Sequence, residues 1–114
     1  MAGGLGHTRQ YQLTLSGAAQ SLTDAIATDL SLLSETDRNP VFRSLSLQAD
    51  DGNSNPVFCG ADSAVSAANH GFRIPTPVTA IPELPYVING PGHVGDVWVL
   101  GTADEKLNIF VVLQ

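Results

Sequence analysis

The chain has 114 residues, of which 43% are hydrophobic and 14% are charged, and its formal net charge is −6. This length suits one domain and is too short for two, and the acidic balance argues against binding to a nucleic-acid backbone. A single cysteine excludes an intrachain disulfide and suits synthesis in a reducing cytoplasm. We expect no secretory signal and no membrane span, because no apolar run is long enough for either.

Residues 1–7 are rich in glycine and predict a flexible N-terminal arm, followed by one domain over residues 8–114. From Thr8 to Ser16, apolar and polar side chains alternate. Tyr11, Leu13 and Leu15 fall on one side of an extended chain, which is typical of a strand with one buried face.

The next segment shows a different period. Leu22, Ile26, Leu30 and Leu33 are spaced four, four and three residues apart, which indicates a helical stripe. The segment also contains weak helix formers, so we predict only a short helical insertion near residues 21–27.

Residues 41–60 predict a β-hairpin. Odd-numbered positions from Val41 to Ala49 form one face of a strand and even-numbered positions form the other. A run of turn-forming residues follows at 50–56, and residues 57–60 resume an extended apolar run.

The remaining chain repeats short apolar runs separated by glycine, proline or asparagine. It predicts strands at residues 86–88, 96–101 and 107–113, with a turn at residues 89–92. The last strand is uncharged from Ile109 to Leu113, so it must lie centrally in a sheet or be covered by a neighbour. This pattern predicts an all-β chain, folded as a single β-sandwich or jelly-roll-like domain.

Two motifs suggest ligand binding, and local context argues against both. Residues 90–95 match G-x-G-x-x-G, but they precede a predicted strand where a dinucleotide site needs a helix. Asp51, Asn53 and Asn55, with Asp62, resemble a calcium loop, but Pro56 stands where the loop needs glycine.

The other reactive side chains form no recognisable constellation. His7, His70 and His93 are far apart in sequence, and Cys59 lies within an apolar strand, as a buried inert thiol would. We therefore predict that the chain is not an enzyme, with no catalytic, cofactor-binding or metal-binding residues and no cofactor.

Four segments resemble a group of small structural proteins of tailed-bacteriophage virions. They are residues 47–50 (LQAD), 55–60 (NPVFCG), 71–75 (GFRIP) and 96–102 (DVWVLGT), together with the closing apolar strand. The resemblance implies a β-sandwich subunit of a virion, whose commonest roles are a capsid cement (decoration) protein or a small head or tail component. We expect a cement subunit that stabilises a phage head by binding between capsomers, and the acidic balance suits a position on the outer surface. The resemblance implies no catalytic residues.

We expect two partners: copies of the chain itself, as a homo-oligomer (a trimer), and the major capsid protein of a phage. Nucleic acid and membrane are not expected as partners. The glycine-rich arm and four prolines in an extended loop or edge are the predicted contact residues: Met1, Ala2, Gly3, Gly4, Leu5, Gly6, Pro75, Pro77, Pro82 and Pro85.

Three other functions stay open. One is a different small head or tail component. A second is a carbohydrate-binding module, which needs exposed aromatic side chains on a sheet face; Tyr11, Tyr86 and Trp98 are the candidates. A third is a small jelly-roll enzyme, which needs a histidine cluster.

Overall fold

The computed structural model describes residues 8–23, 41–76 and 85–113 of the chain. These residues form strands joined by turns and loops, with one 3-10 turn at Val94–Asp96. The predicted all-β fold is confirmed. The strands are β1 (Thr8–Thr14), β2 (Gln20–Ser21), β3 (Val41–Ala49), β4 (Val57–Gly60), β5 (Phe72–Ile74), β6 (Tyr86–His93), β7 (Trp98–Leu100) and β8 (Lys106–Leu113).

The strands form two antiparallel sheets of four strands each. The first sheet has the order β1-β8-β3-β6, and the second has the order β2-β7-β4-β5. Consecutive strands lie in different sheets, except β4 and β5, which pair with each other. Most neighbours within a sheet are therefore distant in sequence, and the fold depends on long-range pairing.

Both sheets bury alternate side chains in one hydrophobic cluster. Leu47 and Val111 come from the first sheet, and Val57 and Val99 come from the second. The prediction for the last strand is confirmed, because β8 pairs with β1 on one side and with β3 on the other. The backbone hydrogen-bonding groups on both edges of this uncharged strand are therefore paired within the sheet.

The hairpin predicted over residues 41–60 is wrong, because its two strands lie in different sheets. β3 has β8 and β6 as neighbours, so both of its edges are occupied, and β4 pairs with β5 and β7. The loop between them crosses from one sheet to the other. Alternation and turn residues show where a strand ends and the chain turns, but they do not show which strands pair.

The helical insertion predicted near residues 21–27 is not seen at Ser21 and Leu22, its first two residues. Ser21 instead lies in β2, where it pairs with Trp98, and its hydroxyl donates to the Gly95 carbonyl at 3.0 Å. The Leu22 side chain is fully buried. Long-range pairing and burial outweigh a weak helical propensity at these positions. Residues 24–27 lie outside the described part of the chain.

The turn predicted at residues 89–92 belongs instead to β6. The register between β3 and β6 shifts just after Phe42, which turns Phe42 inward and leaves Arg43 exposed, against the predicted alternation. Gly90 and Gly92 allow β6 to lie close against Phe42 of β3. A Cβ at Gly90 would collide with the Phe42 carbonyl oxygen, and one at Gly92 would lie 2.8 Å from the Phe42 ring.

Candidate binding surfaces

The oxygen-rich loop after β3 is held by internal hydrogen bonds. Asn53 is buried; its amide nitrogen donates to the Lys106 carbonyl at 2.8 Å, and its oxygen accepts from the Lys106 amide at 2.9 Å. The Glu105 carboxylate accepts from the backbone amides of Ser54 and Asn55, at 2.7 and 3.2 Å. The loop therefore anchors the crossover between the sheets to the start of β8. Among the described residues, no three His, Cys, Asp or Glu side chains lie close enough to hold a metal ion.

The glycines of the G-x-G-x-x-G segment do not lead into a helix that could hold a pyrophosphate. β6 ends at His93, the 3-10 turn follows, and β7 begins at Trp98. A dinucleotide site needs a helix N-terminus after the glycines, so this segment lacks that geometry.

Cys59 and His70 both have structural surroundings. Burial raises the pKa of the Cys59 thiol to about 12, which keeps it protonated and unreactive at neutral pH. The His70 ring packs against Phe58, with ring centroids 4.9 Å apart, and its Nδ1 lies 3.0 Å from the Ser66 carbonyl oxygen. His93 is exposed at the end of β6, and His7 lies outside the described residues.

An exposed apolar surface lies where β5 ends and β6 begins. Val87 is 54% exposed and Tyr86 is 38% exposed, and Pro75 and Pro85 next to these strands are exposed as well. The Tyr86 ring stacks on Phe72 of the second sheet, with centroids 5.2 Å apart and planes 8° from parallel. β6 is an outer strand of its sheet. We call Pro85, Tyr86 and Val87 the β6 edge.

Two of the four predicted contact prolines, Pro75 and Pro85, are exposed, one just after β5 and the other just before β6. The other predicted contact residues lie outside the described part of the chain: Met1, Ala2, Gly3, Gly4, Leu5, Gly6, Pro77 and Pro82.

The outer face of the first sheet forms an open groove of about 740 Å³. One row of paired residues crosses it from Gln10 on β1 through Phe110 on β8 and Ser46 on β3 to Val87 on β6. A second row contains three amide side chains, namely Gln12, Asn108 and Gln48. The groove is lined by Gln10, Tyr11, Gln12, Ser46, Gln48, Pro85, Asn108, Ile109 and Phe110, and we call it the amide groove.

Asp50 orients the amides at one end of the groove. Its Oδ1 accepts from the Asn108 side-chain nitrogen at 3.2 Å and lies 3.5 Å from the Gln12 side-chain nitrogen. Gln12 also donates to the Asn108 side-chain oxygen at 2.9 Å. A carboxylate can only accept, so both NH₂ groups must turn toward Asp50. The network therefore fixes the direction in which each amide points.

The sequence prediction missed the aromatic residue that is most exposed on a sheet face. Tyr11 is buried and Trp98 is half-buried, whereas Phe110 is 44% exposed on the outer face of β8. Nearly every residue of this strand is apolar, which hides the alternation between its two faces. The position of Phe110 in the strand could have shown its exposure. Side chains alternate between the two faces of a strand, so Phe110 points outward when Leu107, Ile109 and Val111 point inward.

Comparisons with models of protein families, with curated proteins and with solved structures find no match. No helix within the described residues is long and apolar enough to cross a membrane. The function is therefore inferred from the geometry and chemistry of the β6 edge and the amide groove.

Proposed function

We propose that this chain is a structural virion protein, a cement (decoration) subunit that stabilises a phage head by binding between capsomers. It would act on the outer capsid surface as a homo-oligomer, a trimer in the simplest arrangement, and contact the major capsid protein. The strand orders of the two sheets support a jelly-roll assignment, an architecture used by viral capsid and lectin domains. That support is an analogy of fold, because one fold hosts many functions.

The observation that carries the proposal is the β6 edge. Val87 and Tyr86 are two of the three large hydrophobic side chains that the described residues expose, and both lie on an outer strand. An outer strand with apolar side chains is a site where another chain adds to the sheet or covers it. Tyrosine is also enriched where protein partners meet.

Local rigidity makes this edge suitable for contact. The stack on Phe72 holds the Tyr86 ring in place, and Pro85 restricts the backbone just before it. Less conformational entropy is then lost when a partner binds. A symmetric oligomer would present several such edges, so weak individual contacts would sum to firm attachment. The net charge of −6 suits the outside of a capsid better than contact with packaged DNA.

The test is to add the purified full-length chain to capsids that lack it, then to measure occupancy and the temperature at which the shells break. We expect saturable binding and a higher breaking temperature. Val87→Asp places a charge on the β6 edge and should weaken attachment by at least about tenfold, or ~1.4 kcal/mol. Ala67→Asp, in an exposed loop, is the matched control and should bind as the unmodified chain does.

A second variant lacks residues 1–6 and should stay folded while attaching more weakly. If the full-length chain neither binds nor strengthens the shells, the cement proposal is wrong. Binding to purified tails in the same assay would favour a tail component instead. If Val87→Asp binds as tightly as Ala67→Asp, the β6 edge is not the contact surface.

A further inference from the structure

We propose that the amide groove on the outer face of the first sheet binds an uncharged oligosaccharide. This activity goes beyond capsid attachment, since it uses the face of the sheet rather than its β6 edge. The two surfaces share Pro85, which lines the groove, and Val87, which ends the row of residues that crosses it. The inference rests on the charge, the polar groups, the exposed ring and the size of the groove.

The outward residues of three successive rows of the sheet are uncharged, on a chain with 16 charged residues (5 Lys and Arg plus 11 Asp and Glu), and charges resume beyond these rows at Asp50 and Lys106. An ionic ligand would lose its hydration there and find no opposite charge in these rows. A neutral ligand pays no such cost. The outward residues of these rows are Thr8, Val112, Ser44 and Asn89; Gln10, Phe110, Ser46 and Val87; and Gln12, Asn108 and Gln48.

The polar groups in the groove match a sugar hydroxyl, which both donates and accepts a hydrogen bond. Asp50 and Asn108 engage the NH₂ group of Gln12, so the Gln12 carbonyl oxygen points away from them as an acceptor. Within the described residues, Gln10 and Ser46 make no side-chain hydrogen bond and can donate or accept. Neighbouring amide and hydroxyl groups on one face can therefore satisfy several hydroxyls of one ligand.

Phe110 supplies the apolar part of such a site. Its ring lies between Gln10 and Ser46 in the row of paired strands and is 44% exposed. A pyranose ring has an apolar face of C–H groups, and an aromatic ring offers a large apolar surface with an electron-rich face for them. One aromatic ring surrounded by hydrogen-bonding side chains fits a neutral sugar better than a purely apolar ligand.

The size and rigidity of the groove also suit a short oligosaccharide. Its volume of about 740 Å³ falls within the range of ordinary ligand sites, roughly 300–1,000 Å³. It is built on three adjacent strands, and the network at Asp50 fixes two of its amides before a ligand arrives. Such preorganisation lowers the cost of binding.

The experiment titrates the full-length chain with cellohexaose, maltohexaose, xylohexaose and mannohexaose, and with tetragalacturonate as the anionic probe, by calorimetry at millimolar sugar. We expect at least one neutral probe to bind and tetragalacturonate not to bind. Phe110→Ala and Gln12→Ala should each weaken that binding by at least about tenfold. Phe110→Trp should bind the sugar as the unmodified chain does, because the variant keeps an aromatic ring at this position. Asn55→Ala, an exposed amide outside the groove, should bind as the unmodified chain does.

Circular dichroism and thermal melting of each variant establish that it is folded, since Phe110 and Gln12 point away from the core. The proposal is overturned if no neutral probe binds, if tetragalacturonate binds equally well, or if Phe110→Ala binds normally. The capsid assay separates the two proposals. Phe110→Ala should keep capsid attachment, and if it instead loses attachment while no sugar binds, the groove is a protein contact.

Discussion

Asn53 and Lys106 bond to each other twice across 53 positions of sequence, side-chain amide against backbone peptide group. The Asn53 side chain thus bonds to the backbone of Lys106, the first residue of β8, as a residue of a neighbouring strand would. Asp50 reinforces the join, because its backbone amide donates to the same Lys106 carbonyl at 3.2 Å. This contact ties the crossover between the two sheets to β8, one of the two central strands of the first sheet.

We expect Asn53→Ala to lower the free energy of unfolding by about 2–4 kcal/mol, because it leaves two backbone groups of Lys106 without their side-chain partner at a partly buried site. Urea denaturation measures the change. Asn55→Ala is the matched control, since the Asn55 side chain is exposed, and it should cost less than about 0.5 kcal/mol. Equal losses in the two variants would contradict a structural role for the Asn53 side chain.

Glu105→Gln should lower the free energy of unfolding by about 1 kcal/mol. Each oxygen of the Glu105 carboxylate accepts from one backbone amide, of Ser54 and of Asn55, and glutamine offers only one oxygen for the two. Asp51→Asn removes an exposed carboxylate of the same loop and serves as the control. Hydrogen exchange should show faster exchange of the Ser54 and Asn55 amides in Glu105→Gln alone, and unchanged exchange would count against this contact.

Gly90→Ala should destabilise the protein by several kcal/mol or prevent its folding, because the added Cβ would meet the carbonyl oxygens of Phe42 and Arg43. At Gly52 the nearest atom to an added Cβ is an Asp50 carboxylate oxygen at 3.6 Å, an ordinary contact. Gly52→Ala is therefore the control, with an expected effect within about 0.5 kcal/mol. Thermal melting of both variants decides the matter, and a well-folded Gly90→Ala would show that β3 and β6 are further apart.

We expect the buried thiol of Cys59 to make the folded chain less stable at alkaline pH. Burial raises the pKa of this thiol from 9.0 to about 12 in the folded chain. The protonated thiol therefore contributes its full share of stability below pH 9. That share is lost as the pH rises from 9.0 to about 12, because only the unfolded chain ionises there.

The comparison is between the unmodified chain and Cys59→Ala, measured by urea denaturation at several pH values. The variant is expected to be less stable at neutral pH, because it loses buried volume, and to show a shallower decline above pH 9. A thiol reagent at pH 8 should label the unmodified chain only after unfolding. Rapid labelling of the folded chain would mean that β4 exposes this side chain.

Local sequence determined the strands of this protein well where one face is buried and the other is solvated. In β1, Tyr11 and Leu13 alternate with glutamine and threonine, and the structure buries the two apolar side chains. The uncharged run of β8 required a central position or cover by a neighbour, because an open edge of that composition would associate with other chains. The local pattern therefore specified an all-β chain with a protected last strand, and the structure gives that strand a central position.

Only the tertiary structure decided which strands pair. The turn residues before Val57 led to a hairpin prediction, yet the chain crosses there to the other sheet, because β6 and β8 occupy both edges of β3. The glycines of β6 resembled a turn, yet they allow that strand to pass close to Phe42. Phe110 lies between Gln10 and Ser46, and Asn108 between Gln12 and Gln48, only through pairing of β1, β8 and β3. Side-chain periodicity is a local property, whereas pairing and shared surfaces depend on contacts between residues far apart in sequence.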